Sequence, residues 1–544
     1  MSFKDIFDSE QKTITGAAII LTVSILLSRV LGLLRDRFLA GTFGASMNLD
    51  IYFAAFRIPD LVYSIIFAGG VVVSLLPLFS QHYENKKEKD GWDLINNVLN
   101  LFIVLFVITG ILFWIFTPQI ISSMVVGFDA HAKQVTIDLT RLIFLSVLFF
   151  GLSSVFSTIL NYFNRFVSYS IAPILYNLGI IFGVLCLTSY FGVFGAGVGV
   201  VIGSFLHLII QIPPAIRCGY RYKPVLNIFS KEIKEFIGII IPRTIASSTA
   251  QINFIIITFI ASTIGSGAIS VFNLSNNLRY LPIGIIGVSF ATAVFPSLSK
   301  FWAEGNKEQF NVQLRKIFSQ VLYISFPVGI LIYILRNEIV DIILKTGEFG
   351  GVAAELTAIC LALYAISTFA QCLVPVLLRG FFSIKDTITP TFVAIFFVAL
   401  NTALSFFFVS LFNGVEAIQR FSFLGLELTG NGVSLAGLVF AFNLSLLMEF
   451  ILLFVLLIDK IGDFGIKYLA KSFLKIFTSS IIMGFVSCQI LLKINLLFTD
   501  SLIDSIIKFV IVCFVALIVY LILGKIFKIE EAKYFFNKKS KNGN

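Results

Sequence analysis

Apolar runs of about 20 residues or more recur along the whole chain between short polar breaks, and each is long enough to cross a hydrocarbon layer as an α-helix. They fall near 14–34, 48–80, 93–125, 134–162, 168–190 and 195–216, then near 232–262, 267–299, 311–334, 352–382, 387–411 and 433–458. Two more lie near 469–492 and 502–527. The pattern predicts an all-α polytopic membrane protein of about fourteen transmembrane helices. Composition agrees: 58% of the 544 residues are hydrophobic and 13% charged, against about 25% charged in a soluble domain. Most of the surface must therefore face lipid.

The net charge of +10 would raise nucleic acid as a partner in a soluble protein. Here the basic residues sit in short breaks, where they act as topological signals at an anionic membrane surface, and no nucleic-acid partner is expected. One set of alternate breaks holds Lys86, Lys87 and Lys89, Arg165, Arg217, Arg221, Lys223, Lys231, Lys300, Lys307, Lys385, Lys460, Lys467 and the tail Lys538, Lys539 and Lys541. The opposite breaks are nearly bare, with residues such as Lys133, Lys345, Arg420 and Lys493; Arg35 and Arg37 are the exception. By the positive-inside rule both termini are cytoplasmic. Met1 to Lys12 is mixed in charge and does not read as a cleavable signal. The six cysteines and three histidines are scattered, so neither a metal site nor a disulfide framework is expected. No nucleotide-binding or hydrolytic motif is present, which predicts a non-enzyme without cofactor, driven by a gradient or the membrane potential.

The chain repeats itself. Pro77 and Pro296 stand 219 residues apart near the ends of the second and eighth spans; Pro173 and Pro390 stand 217 apart at the openings of the fifth and eleventh. Tyr162-Phe163 and Phe381-Phe382 are again 219 apart. Each pair lies six spans apart, an even number, so the halves share one orientation, as in parallel-repeat transporters. The expected organisation is an N-terminal lobe at 1–216, a C-terminal lobe at 217–458, and two extra helices with a basic tail at 459–544.

Charge inside spans is costly: an arginine at the bilayer centre costs about 2.5–3.5 kcal/mol on insertion scales. Arg29 lies well inside the first span, so it should meet water or an anion. Asp36 is two turns further along the same stripe and can temper the field there, whereas Arg35 points elsewhere. Asp50 and Asp60 bracket Arg57 in the second span; the seventh opens Pro242-Arg243; the eighth carries Asn273, Asn276, Asn277 and Arg279 before Pro282. Spans one, two, seven and eight are the equivalent pairs of the lobes. Arginines concentrated there form a candidate cationic pocket for a diphosphate, which accepts bidentate hydrogen bonds. Arg35 and Arg37 also fit interfacial snorkelling, and Arg57 and Arg279 also fit local pairing. Arg141 and Arg379 read as structural, and Glu449 in the twelfth span as either a proton-coupling or a packing carboxylate.

Ser28-Arg29-Val30-Leu31-Gly32, Arg35-Asp36, Phe43-Gly44-Ala45, Leu49-Asp50, Tyr52-Phe53 and Arg57-Ile58-Pro59-Asp60-Leu61 together resemble the MurJ (MviN) family of lipid II flippases, within the multidrug and polysaccharide exporter superfamily. The resemblance extends over the whole chain. It implies an alternating-access flippase of a bacterial inner membrane, acting on lipid II among membrane lipids, and here expected as a monomer. It also implies a cationic cavity for the head group and a groove along the last two helices for the polyprenyl tail. By matching position Arg29 and Arg35 are cavity arginines, Asp36 and Asp50 supporting acids, and Arg57 a basic position. Two departures stand out. Tyr63 and Ser64 occupy the place of a family Arg-Arg pair, with Ala68 and Gly69 in place of its Glu-Gly. Asn277 and Tyr280 take the places of a family Arg and Glu, so Arg243 and Arg279 are candidates to supply charge from new positions. No sodium site is matched in the seventh and eleventh spans. A flippase for another undecaprenyl-diphosphate-linked oligosaccharide, or a multidrug antiporter of the superfamily, are the alternatives.

Overall fold

The computed structural model describes residues 14–67, 71–85, 87–413, 421–423, 426–428, 431–498 and 501–532. Lys86, Gly69-Gly70, Arg420 and the Lys538–Lys541 tail lie outside the described residues, as does the side chain of Arg243. Among the described residues eleven helices are long and apolar enough to cross a membrane, from Glu88–Met124 to Leu502–Ile526. The three other expected spans are helical too. The first is Ile14–Phe43, the second is the broken series Met47–Ala55, Arg57–Ile66 and Val71–Glu84, and the seventh is Lys231–Ile264. Fourteen spans are thus compatible with the fold, which is all-α apart from a short antiparallel pairing of Phe421–Phe423 with Leu426–Leu428.

The repeat is written into the backbone. The first and seventh spans end at Phe43 and Ile264, and the next helices start at Met47 and Ala268, in each case 221 residues apart. The fourth and tenth spans end alike: Arg165 N–H donates to Leu160 O at 2.8 Å and Asp386 N–H to Phe381 O at 3.0 Å. Each of these closures turns on a left-handed non-glycine residue, Asn164 at φ 54° and Lys385 at φ 61°, the six-to-one bond of a Schellman stop. The eighth span loosens into a π-helical stretch at Ile283–Val288. The second span breaks after Ile66, at the matching place.

The chain divides into two compact units, Met1–Ser270 with Thr346–Phe349, and Val271–Lys345 with Gly350–Asn544. In the first unit, spans five (Phe166–Phe191) and six (Val193–Arg217) meet through small residues. A methyl on Gly183 would sit 2.5 Å from the Cα of Gly199, and Gly179 faces Gly203 in the same way. Glycines four apart on both helices let the backbones touch, the packing that serves where lipid supplies no hydrophobic drive. The segment after the sixth span is pinned to the third by three asparagines. Asn96 donates to Arg221 O and accepts from Lys223 N–H, both at 3.0 Å, and Asn97 does both with the backbone of Asn227. Asn100 donates to Lys223 O and Val225 O at 2.9 Å and accepts from the Tyr222 hydroxyl. A non-helical strand at a membrane surface needs partners for its peptide groups, and these amides supply them.

In the second unit Phe310, Leu314, Phe318, Leu377, Phe381, Leu453 and Leu457 form the core. The fourteenth span is tied in where Tyr520 donates its hydroxyl to Tyr323 O at 2.8 Å. An apolar hollow of about 200 Å³, lined by Phe326, Ile330, Phe369 and Ile481 among others, opens beside the thirteenth span.

Candidate functional site

The first span packs on the fifth through one polar stripe. Ser24 Oγ meets Ser170 Oγ at 3.1 Å, and Asn177 donates to Ser28 O and to Pro173 O in its own helix. Asn177 Oδ1 then accepts from Arg35 Nη1 at 3.3 Å. The same guanidinium donates from Nε and Nη2 to one oxygen of Asp36, at 3.0 and 2.8 Å. Asp36 therefore serves Arg35, its chain neighbour. The expectation that it tempers Arg29 does not hold for a direct contact, because seven residues of helix rise about 10 Å and Arg35 folds back to occupy the carboxylate. Arg29 is half-buried and makes no hydrogen bond or ion pair among the described residues.

Around Arg35 the second and fifth spans contribute Tyr52 and Tyr176, which feel its charge, with Asp36 and Asp60 also within electrostatic reach of Tyr52. A cavity of about 450 Å³ opens there, lined by Asp60, Tyr63, Ser146, Ser157, Tyr176 and His207 among others. Arg57 begins the helix that carries Asp60. It is 7% exposed, donates from Nε to Thr258 Oγ1 in the seventh span at 2.8 Å, and lies over the ring of Phe254 at 5.1 Å. Arg57 is thus held toward the seventh span, with Asp60 within electrostatic reach.

Asp50 is placed differently from the arginines. It is fully buried, and its carboxylate accepts from Gly267 N–H at 2.6 Å, Ser270 N–H at 2.7 Å and Ser270 Oγ at 2.5 Å. The helix that starts at Ala268 presents free N–H groups and the positive end of its dipole, and a carboxylate satisfies both. Close approach makes this joint possible: at Gly267, φ 87°, a Cβ would lie 2.5 Å from Ala45 O. Glu348 N–H also donates to Gly41 O at 2.9 Å, and Gly127 lies against the backbone of Ser262. The ends following spans one, three, seven and nine are knotted together, all on one membrane face. Asp50 belongs to that knot, as a cap.

Arg279 is in the second unit. Only 4% exposed, its guanidinium lies 4.9 Å from the ring centres of Tyr280 and Tyr364 and 4.8 Å from that of Phe442. Rings thus surround it on three sides, and position 279 follows Asn277 by two residues, about 200° round the helix. For Arg243 only the helix is described, and the 221-residue offset sets Ala250, not Arg243, opposite Arg29. Arg141, expected to be structural, lies over Trp114 at 4.5 Å and donates to Trp114 O at 2.9 Å. Asn177, Tyr176, Thr258 and His207 were missed. A polar pair four residues after Pro173 inside an apolar run is the one signal that pointed to Asn177.

A family model described as Lipid II flippase MurJ matches residues 39–512. The probable lipid II flippase MurJ of Buchnera aphidicola subsp. Schizaphis graminum is 29% identical over 488 residues, which cover 85% of this chain and 93% of that relative. The lipid II flippase MurJ of Burkholderia cenocepacia is 26% identical over 404 residues, 72% of this chain and 78% of the relative. A solved lipid II flippase MurJ in an inward closed conformation superposes with TM-score 0.76 at 25% identity, covering 94% of this chain and 99% of that one. An inward-facing MATE multidrug transporter of the MOP superfamily shares the fold at TM-score 0.65 and 16% identity, covering 82% and 99%. Fold and buried charge together define a multi-pass α-helical membrane transporter. The chain belongs to the lipid II flippase MurJ family.

Proposed function

We propose that this chain moves lipid II from the cytoplasmic to the outer leaflet of a bacterial inner membrane by alternating access, with both termini in the cytoplasm. The observation that carries the reading is Arg29, a guanidinium inside the first span with no protein partner among the described residues, one helix face away from an Arg35 already held by Asp36 and Asn177. A cation inside a membrane span without a counter-ion is costly, and a diphosphate offers it a bidentate partner. Arg57, held by Thr258 and the ring of Phe254, adds positive field without having to reorganise.

In this reading residues 1–216 and 217–458 act as two lobes, with 459–544 flanking the second. The knot around Asp50 is the extracytoplasmic seal, which must open for the head group to leave. The hollow beside Ile481 is a place for the polyprenyl tail, since it is apolar and open to lipid. The Lys and Arg asymmetry of the breaks sets the orientation.

Cells depleted of their own lipid II flippase and supplied with this chain test the reading. Growth, with lipid II accessible from outside, supports it; lysis at normal membrane abundance overturns it. If the chain instead rescues export of another undecaprenyl-diphosphate-linked oligosaccharide, the diphosphate chemistry stands and the sugar assignment falls.

A further inference from the structure

Two charges of the second unit play no part in the flipping argument. Arg279 in the eighth span is enclosed by Tyr280, Tyr364 and Phe442, and its Nε and Nη1 have no hydrogen-bond partner among the described residues. Glu449, half-buried in the twelfth span, lies within electrostatic reach of Arg279, yet the two form no ion pair. Arg279 stands eleven residues beyond the helix start at Ala268 and Glu449 twelve before the helix end at Ile461, so they sit about 16 and 18 Å from those ends, near the middle of the bilayer.

We propose that Glu449 is a proton-binding site of this unit and Arg279 its internal counter-cation, so that loss of the proton draws carboxylate and guanidinium into an ion pair. The guanidinium is permanently charged, and attraction to three ring faces offsets part of its desolvation. Two of its nitrogens, Nε and Nη1, remain to be satisfied. A carboxylate in a span is costly unless paired, whereas a carboxylic acid is tolerated. Separated side chains therefore match the protonated form, and the paired form follows release of the proton to water. Around the pair the titratable groups are few. Tyr280 comes from Arg279's own helix, Tyr364 and Cys360 from the tenth span, and the eleventh, Ile388–Phe412, carries none. In low dielectric an attraction between the eighth and twelfth spans acts over several ångströms, enough to bias how these helices pack. The coupling ion of the transporter would then be the proton, a step beyond the assignment of its substrate.

Dicyclohexylcarbodiimide tests this on the full chain in lipid vesicles without lipid II, so the result is independent of flipping. The reagent adds across a protonated carboxyl: the acid proton passes to a carbodiimide nitrogen, the carboxylate oxygen bonds its carbon, and rearrangement gives a stable N-acylurea read by peptide mass. The expected result is labelling of Glu449 at acid pH and its loss as pH rises. The profile should move in Arg279→Gln and stay near wild type in Arg279→Lys. Glu449→Gln, read by melting temperature against pH, should lose a pH-dependent step that wild type shows, which keeps the test decisive if Arg279→Gln does not accumulate. Glu449 unlabelled at every pH, or one profile shared by wild type and Arg279→Gln, overturns the proposal.

Discussion

Arg35 donates through two nitrogens to a single oxygen of Asp36, the residue that follows it in the chain. Its third contact is Asn177 in the fifth span. The pair neutralises itself and fastens the first span to the fifth, while Arg29 in the same helix has no hydrogen bond or ion pair among the described residues.

Removing one member of this pair should cost more than removing both. Full burial of a broken ion pair costs about 3–5 kcal/mol; with the Arg35 side chain 23% exposed, screening reduces the expectation for Arg35→Met to about 2 kcal/mol. The double variant Arg35→Met with Asp36→Leu should recover most of it. Thermal unfolding in detergent reads the difference. A double variant less stable than the single one contradicts the pairing.

Asp50 fixes the knot at one membrane face. Asp50→Ala orphans two buried N–H groups and a hydroxyl, a loss of about 1–3 kcal/mol per unsatisfied group. The knot should then open more often. A cysteine replacing Ala45 should react faster with an external, membrane-impermeant maleimide in the Asp50→Ala background than in the wild-type one. Equal rates at equal abundance would show that the cap does not hold the knot.

Much of this was legible in the sequence. Long apolar runs marked the helices, and prolines recurring at 217 and 219 residues pointed to a repeat, whose offset the matching helix stops at Asn164 and Lys385 set at 221. The site was legible only in part. Helical spacing set Asp36 two turns from Arg29 and pointed Arg35 elsewhere, but spacing ignores side-chain reach, and Arg35 is long enough to fold back on Asp36. The partners of Asp50 lie 217 and 220 residues away, where no local pattern points. Arg279 looked like a displaced cavity arginine because matching by sequence position does not register a two-residue turn of the helix.

The asparagine clasp makes a separate prediction. Asn100→Ala removes donors from Lys223 O and Val225 O and an acceptor from Tyr222. The segment 219–230 should then fray from the third span. Trypsin added to inside-out vesicles should cut after Arg221 several-fold faster in Asn96→Ala with Asn100→Ala than in wild type. Unchanged cleavage would mean that the clasp is not what pins the segment.

The central claim is that Arg29 receives the diphosphate of lipid II. The measurement is lipid II reaching the outer leaflet, with cell survival, in a strain whose sole flippase is this chain carrying Arg29→Ala, Arg29→Lys or Arg141→Ala at matched membrane abundance. The account predicts that Arg29→Ala abolishes transport, that Arg29→Lys restores it only in part because a point charge lacks the planar fork, and that Arg141→Ala is mild. Normal outer-leaflet lipid II and normal growth on Arg29→Ala would contradict it.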